Sequence, residues 1–363
     1  MKLTVSKEAL SGALKKVLSA VNVKTTIPVL NNVLLQADDN GLTIAATDLE
    51  VYLRSTIEAN TEQPGKTTLP ARKFGQIVNA LPDGDVCLET NDTEQTAISC
   101  SNAYFRLLGL NAEEFPSEEE TAGDWEFTLP ADEFRKILSK IQYAASTDET
   151  RHVLNGLLLT IRSGILTAVA TDGRRLALIE RPLDGDGVTD CDVILPPKVV
   201  GELVKILDGK EDLTVQFSES RAAFLLGQTL IVSKLVEGNY PNYRQVIPSN
   251  FSQSAVFPRD PFAAALNRVA MVVSETSASL SLSLEKAKAT LSANSAEVGE
   301  GSEPLEVSYD GETVNISFNP DFLMDPLRHL EAEQVVLQFN DQYSPVSISG
   351  DEGFLYVIMP MRS

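Results

Sequence analysis

The sequence predicts an α+β fold of three similar domains, each made of two half-repeats in which one helix precedes several antiparallel strands. Three observations carry this. A pattern of apolar residues returns at an offset of 124 along the 363-residue chain. Helix starts marked by proline return at about half that interval. Strand-like alternation, broken by Gly, Asp and Asn turns, fills the space between them.

Two segments fix the offset. Val29-Leu30-Asn31-Asn32-Val33-Leu34-Leu35 returns as Val153-Leu154-Asn155-Gly156-Leu157-Leu158-Leu159, and LTIAATD at 42–48 returns as LTAVATD at 166–172. A further step of 124 falls on the alternating SASLSLSL of 277–284, followed by ATLSAN at 289–294. Self-similarity at a fixed period marks repeated structural units. The acidic stretch 113–123 and the Pro/Asn/Ser-rich stretch 238–254 then serve as boundaries, giving domains 1–122, 123–250 and 251–363.

The helix starts are LPARKF (69–74), LPADEF (129–134), LPPKVV (195–200), FPRDPF (257–262) and FNPDFL (318–323), with TVSKEAL (4–10) in first place. Proline is tolerated there because its missing N–H would be unsatisfied anyway. Ser6 is the expected N-cap of the first helix. From Ser6 through Pro70, Pro130, Pro196, Pro258 and Pro320 the spacings are 64, 60, 66, 62 and 62. Strand alternation is clear at VCLET (86–90), AYFRLLGL (103–110), LTVQF (213–217), TLIVSKLV (229–236), VNISF (314–318) and VVLQF (335–339). Pro326, inside the last helix, predicts a kink or early distortion.

Each helix has an apolar stripe and a polar face. Leu10, Leu14, Val17, Leu18 and Val21 form the stripe of the first, opposite Lys15, Lys16, Ser19 and Gly12. Phe134, Ile137, Leu138 and Ile141 face inward in the third, with Lys136 and Lys140 outward. Val199, Leu203 and Ile206 pack in the fourth, leaving Lys198 and Lys205 together; Arg268 takes that place in the fifth. The net charge of −21 argues at first against nucleic acid. The distribution of that charge points the other way. The six helical windows, 83 residues, carry 15 Lys/Arg against 8 Asp/Glu, while the other 280 residues carry 15 against 43. A basic helical lining on an acidic body suits a protein that surrounds DNA loosely. Gly12, Gly75, Gly201 and Ala264 would keep that face smooth. No recognition helix, zinc finger or aromatic platform appears, so base-specific readout is not expected.

Other classes are disfavoured. Cys87, Cys100 and Cys191 share no metal or disulfide spacing and read as small buried thiols. No apolar run approaches the ~20 residues of a membrane span, and lysines and serines interrupt the opening stretch that a signal peptide would need apolar. A soluble cytoplasmic protein is expected. With His152 and His329 the only histidines, no catalytic constellation is legible, and no cofactor is expected. Asp48 and Asp172 occupy equivalent repeat positions, which reads as a structural turn. DGDGVTD (184–190) faintly resembles a calcium loop but lacks the twelfth-position Glu, so no metal is expected.

Seven segments in order then carry a family resemblance: PVLNNVLLQ (28–36), TDLE (47–50), LPARKF (69–74), RHVLNGLLL (151–159), ATDGRRLA (170–177), SKLVEGNYPNYRQVIP (233–248) and YVIMPMRS (356–363). Over its whole length the chain resembles the bacterial DNA polymerase III beta subunits, the sliding clamps. The resemblance implies three domains of clamp fold and a head-to-tail homodimer, a six-domain ring that encircles duplex DNA without sequence preference. It implies a non-catalytic processivity factor of DNA replication and repair. The ATP-driven loader that opens such a ring must be a partner, because this chain has no P-loop.

Site residues follow from the same resemblance. DNA contacts fall on Lys24, His152 and Lys198, with Lys15, Lys136, Lys140 and Lys205 as lining. An apolar groove for short Leu/Phe-bearing peptides of the replicative polymerase and the loader falls on Leu154, Thr171, Gly173, Arg174, Arg175, Leu176, Pro241, Arg244, Val246, Val346, Val357, Met359, Pro360, Met361 and Arg362. Methionine suits a surface that meets varied partners. The ring-closing surface pairs Phe105 and Leu107 with Val272 and Val273, and Arg106 and Lys73 with Glu297, Glu300 and Glu303. A repeat scaffold that binds no DNA is the alternative.

Overall fold

Helix starts follow local chemistry. Helix α1 (Lys7–Val17) begins at Ser6, whose hydroxyl accepts from the Ala9 amide at 3.2 Å and so satisfies a free N–H of the first turn. Pro70 caps α2 (Ala71–Ala80), Pro130 directly precedes α3 (Ala131–Ile141), and Pro197 opens α5 (Pro197–Ile206), after the single turn α4 (His152–Asn155). Pro258 caps α6 (Arg259–Val269), and Pro320 is the first residue of α7 (Pro320–His329). The computed structural model describes residues 1–21, 25–117, 123–183, 189–209, 211–274 and 279–362. Lys24, the stretch 184–188 of the acidic DGDGVTD segment, and Ser363 lie outside them.

One sequence expectation about helices is corrected. Helix α1 gives way at Val17 to a 3-10 turn, Leu18–Ala20, so Val21 lies beyond the helical stripe. Pro326 stands inside α7, which runs on to His329. The N–H that proline lacks would have bonded the Phe322 carbonyl. The Tyr356 hydroxyl donates to that carbonyl instead, at 2.7 Å.

Two compact units are present, Met1–Phe134 with Gly201–Leu235 and Arg135–Val200 with Val236–Ser363. The first holds a five-stranded sheet in the order β5 (Asn60–Gln63), β1 (Lys2–Ser6), β7 (Asp85–Thr90), β8 (Gln95–Cys100) and β9 (Ala103–Leu108). Its second sheet has eight strands. They run β10 (Trp125–Pro130), β15 (Asp212–Phe217), β16 (Arg221–Leu226), β17 (Thr229–Lys234), β4 (Val51–Ile57), β3 (Gly41–Thr47), β2 (Asn32–Asp38) and β6 (Gly65–Pro70).

The second unit repeats the plan. Its eight strands run β14 (Cys191–Leu195), β11 (Leu157–Arg162), β12 (Ile165–Thr171), β13 (Arg175–Pro182), β25 (Phe354–Ile358), β24 (Val346–Ser349), β23 (Gln334–Phe339) and β18 (Gln253–Pro258). A four-stranded sheet runs β21 (Gly299–Glu306), β20 (Lys288–Ser295), β19 (Leu280–Glu285) and β22 (Val314–Phe318). Alternation decides the faces: on β19, Leu280, Leu282 and Leu284 are fully buried while the serines between them are not.

The repeat is visible in register. Each eight-stranded sheet is two quartets joined antiparallel through their last strands. Val51 pairs with Ser233 and Ser55 with Thr229 at one join; Arg175 pairs with Ile358 and Ile179 with Phe354 at the other. Positions 51 and 55 plus the repeat offset of 124 are 175 and 179. The same last-strand position in the other two sheets is held by β9 and β21, which are edges.

Candidate functional site

Asp172 and Asp48 are turn residues, as their equivalent positions imply. Oδ1 of Asp172 accepts from the amides of Arg174 (2.8 Å) and Arg175 (3.0 Å), and Oδ1 of Asp48 from those of Glu50 (3.1 Å) and Val51 (2.9 Å). The preceding threonine closes each turn: Thr171 donates to the Arg175 carbonyl at 2.6 Å and Thr47 to that of Val51 at 2.9 Å. At the apex Gly173 has φ +87°, a conformation that suits glycine.

In the second unit this turn forms one wall of an apolar groove of about 170 Å³. The sheet beneath supplies buried Leu158, Val169, Leu176, Leu178, Ile194 and Val357, packed with Tyr243. Leu154, Thr171, Gly173, Arg174, Arg175, Leu176, Pro241, Val246, Val357 and Met359 line the groove, so ten of the residues expected there converge. Val246 is 51% exposed and Met359 43% exposed, apolar side chains left facing solvent at the rim. The Met359 amide donates to the Arg174 carbonyl at 3.0 Å and the Met361 amide to that of Ser317 at 2.7 Å, which pins the tail beside the turn.

Five expected residues take other places among the described residues. Val346 is fully buried on β24 and belongs to the core. Arg244 lies over the Tyr243 ring, 4.9 Å from its centroid, next to the lining. Pro360 and Arg362 continue the tail past the cavity, as does Met361. Asn242 and Tyr243 line the groove without having been read from the sequence. The stretch 238–254 has linker composition, yet it forms a short helical turn, Tyr243–Val246, whose aromatic packs down while its valine points out. The tyrosines in NYPNY were the available signal.

Arg175 is held from all sides. Nε donates to Asp172 Oδ2 at 3.1 Å, Nη2 to the Tyr143 carbonyl at 2.6 Å, and Nη1 to Asp325 Oδ2. Its guanidinium lies 4.2 Å from the Phe322 ring centroid. Burial alone would lower its pKa, but neighbouring Tyr356, Asp325 and Asp172 outweigh this and raise it. Burial raises the Tyr240 phenol, whose oxygen accepts from the Thr171 amide at 3.1 Å.

The basic residues divide. Lys15, Lys136, His152 and Lys205 are exposed, and Lys198 is half-buried. Lys205 is 3.1 Å from Glu202 of the same helix. Lys140 is a correction: only 5% exposed, it meets Asp351 at 2.5 Å and cannot line an open face. Burial pushes the Asp351 carboxyl up, but Lys140 and the amides of Glu331 and Ala332 bring it below the usual range. Gly12 and Gly201 have open space where a Cβ would stand. Gly75 does not belong with them; it is buried, and a Cβ there would come 2.8 Å from Leu18.

On edge strand β9, Tyr104, Phe105 and Leu108 are 57%, 39% and 67% exposed, a row of large apolar groups on open backbone. Leu107 is half-buried, and Arg106 donates to the Tyr104 hydroxyl at 2.9 Å. Lys73 on α2 is exposed, and so are Glu297, just before edge strand β21, and Glu300 on it. Val272 packs toward Gly301 of that strand, and Val273 is half-buried. Glu303 has a partner within the chain, because Arg268 binds its carboxylate at 2.5 and 2.9 Å.

The cysteines are free thiols, Cys100 and Cys191 buried and Cys87 half-buried, with burial pushing Cys191 to about 11. No described helix is long and apolar enough to cross a membrane.

Three family models cover almost the whole chain. The N-terminal, central and C-terminal domains of the DNA polymerase III beta subunit match residues 1–119, 128–242 and 244–362. The chain is 36% identical over 371 residues to the beta sliding clamp of Caulobacter vibrioides, covering 100% of both chains. It is 33% identical over 366 residues to that of Escherichia coli, again covering 100% of both. Among solved structures, the DNA polymerase sliding clamp of Bacillus subtilis superposes with a TM-score of 0.96 at 31% identity, covering 100% of this chain and 99% of the other. The Pseudomonas aeruginosa sliding clamp bound to griselimycin gives 0.96 at 30% identity, covering 100% of both. The repeated quartets, the turn they share and these full-length matches place the chain in the DNA polymerase III beta subunit family, the bacterial sliding clamps.

Proposed function

We propose that two copies of this chain join head to tail into a ring around duplex DNA and hold the replicative polymerase and other replication and repair proteins there. One observation carries the reading. Last strands of the quartets pair antiparallel at both joins within the chain, and two strands of the same kind, β9 and β21, are left as edges. Pairing β9 of one copy with β21 of the next repeats the internal join, a heterologous contact that closes when the rotation closes. Phe105, Leu107, Val272 and Val273 then lose water, and the surface ion pairs of Arg106 and Lys73 with Glu297 and Glu300 add only ~0–1 kcal/mol each.

Topology, not chemistry, does the work of such a ring. Weak phosphate contacts from Lys15, Lys24, Lys136, His152, Lys198 and Lys205 permit sliding without sequence preference. The groove accepts short Leu/Phe-bearing peptides of the polymerase and loader, with a few apolar anchors carrying most of the energy. The chain acts in the cytoplasm as a non-catalytic subunit of three domains, 1–122, 123–250 and 251–363.

Light scattering across a dilution series tests the ring: a mass near twice 39.4 kDa that persists on dilution is expected, and a persistent monomer overturns it. Neutralising Lys15, Lys136 and Lys198 together is expected to shorten loader-dependent retention on circular DNA. Unchanged retention overturns the basic lining.

A further inference from the structure

We propose that Asp325 on α7, which does not line the groove, is a positioning residue for peptide binding and acts through Arg175. The proposal rests on the peptide-groove reading above. Arg175 stands at the wall of the groove, yet all three of its guanidinium nitrogens are engaged within the protein, by Asp172, Asp325 and the Tyr143 carbonyl. Its side chain is 11% exposed and that of Asp325 19%. The charge is therefore consumed inside the fold, and what Arg175 offers a ligand is a wall in a fixed position.

That position matters because the backbone around Arg175 makes the groove. Its carbonyl accepts from Thr171 at 2.6 Å, and the carbonyl of Arg174 accepts from Met359 at 3.0 Å. Turn and tail are registered through these two adjacent peptide groups. Asp172 is local to the turn and moves with it; Asp325 comes from a different element and anchors the turn to it.

Helix α7 also holds the other wall. The Phe322 carbonyl, released by Pro326, accepts from Tyr356 at 2.7 Å, and β25, which carries Tyr356, leads directly into Met359. The Phe322 ring lies 4.2 Å beneath the Arg175 guanidinium. His329, one turn beyond Asp325, stacks on Tyr143 at 4.6 Å between ring centroids, next to the carbonyl that completes the arginine cage. One face of α7 thus braces both β13 and β25. Removing Asp325 unlocks the arginine without touching any surface a peptide would meet.

The test uses the full chain and a fluorescein-labelled peptide carrying adjacent Leu and Phe residues. Asp325→Asn is expected to weaken peptide affinity about tenfold, with Asp325→Glu recovering most of the loss. Asp351→Asn, which breaks a buried ion pair in the same unit, is the stability control and is expected to lower Tm with affinity unchanged. Unchanged affinity in Asp325→Asn overturns the proposal, and so does an equal loss in Asp351→Asn at equal Tm. Should Asp325→Asn not fold, Phe322→Leu keeps both carboxylates and removes the aromatic face; it is expected to weaken binding about threefold, and unchanged affinity there overturns the proposal as well. Absence of binding by the unsubstituted chain is a different result, because it overturns the groove reading and takes this proposal with it.

Discussion

The turns at Thr47–Val51 and Thr171–Arg175 share hydrogen bonds and repeat position, and their surroundings differ completely. Leu34, Ala45 and Tyr52 in the first unit correspond by the offset of 124 to Leu158, Val169 and Leu176 in the second. Around the second turn lies the apolar groove of about 170 Å³, closed by the lip Pro241–Val246 and by Met359. On the corresponding sheet of the first unit lies a wider cleft of about 870 Å³. It is lined by polar groups such as Asp38, Arg54 and Lys66, the last meeting Glu113 at 2.6 Å. At the turn itself Leu49, φ +77°, replaces Gly173, and Val51 replaces Arg175. The fold provides the same platform twice. Covering segments and a few side chains decide which one can hold an apolar peptide.

The largest effect expected is from the tail. Deleting residues 359–363 removes Met359 from the groove wall and leaves both sheets whole. Peptide binding is expected to fall by at least about a hundredfold, with the ring mass unchanged in light scattering. Undiminished affinity would erase the difference drawn between the two sites.

A second comparison lies at the helices. Lys16 and Lys140 are equivalent by the same offset, and each reaches to its own eight-stranded sheet, Lys16 to joining strand β17 and Lys140 to the turn between β24 and β25. Lys16 Nζ finds the Thr229 hydroxyl at 3.4 Å, a weak contact, while Lys140 finds the Asp351 carboxylate at 2.5 Å with both side chains under a tenth exposed. Breaking a buried pair strands a charge, so Asp351→Ala is expected to cost about 3 kcal/mol in denaturant unfolding. Thr229→Val is expected to cost under ~1 kcal/mol.

Acid titration sharpens the same contrast. The folded pKa of Asp351 lies below its ordinary 3.8, so its contribution is fully present above that value and lost as pH falls through the folded one. As pH falls below 3.8, Tm of the unsubstituted protein should drop further than that of Asp351→Asn. A parallel decline in the two would show that other carboxylates govern acid stability.

The smallest effect concerns the turns. Asp48→Ala is expected to cost about 1 kcal/mol and to leave peptide affinity alone. Asp172→Ala removes the same amide contacts and one partner of Arg175, and should lower both stability and affinity. Equal affinity in both variants would mean that the second turn is only structural.

Local chemistry was legible where a residue's neighbours in sequence are its neighbours in space. The Ser6 cap, the buried stripe of Phe134, Ile137, Leu138 and Ile141, and the paired roles of Asp48 and Asp172 are all of that kind. Helical spacing could not separate Lys136 from Lys140, because the acid that captures Lys140 is 211 residues away. The same holds for Arg268 and Glu303, 35 residues apart, and for Gly75, which is small because Leu18 crosses it.

The amino-acid sequence by itself determined the threefold repeat, the helix starts, the strand alternation and the segregation of positive charge, since each is set by spacing along the chain. Only the tertiary structure decided which cations are spent inside the protein, which aromatic in a linker-like stretch builds the groove, and which strands are left as edges. Those outcomes depend on groups brought together from distant parts of the chain, where burial and a single carboxylate outweigh any local pattern.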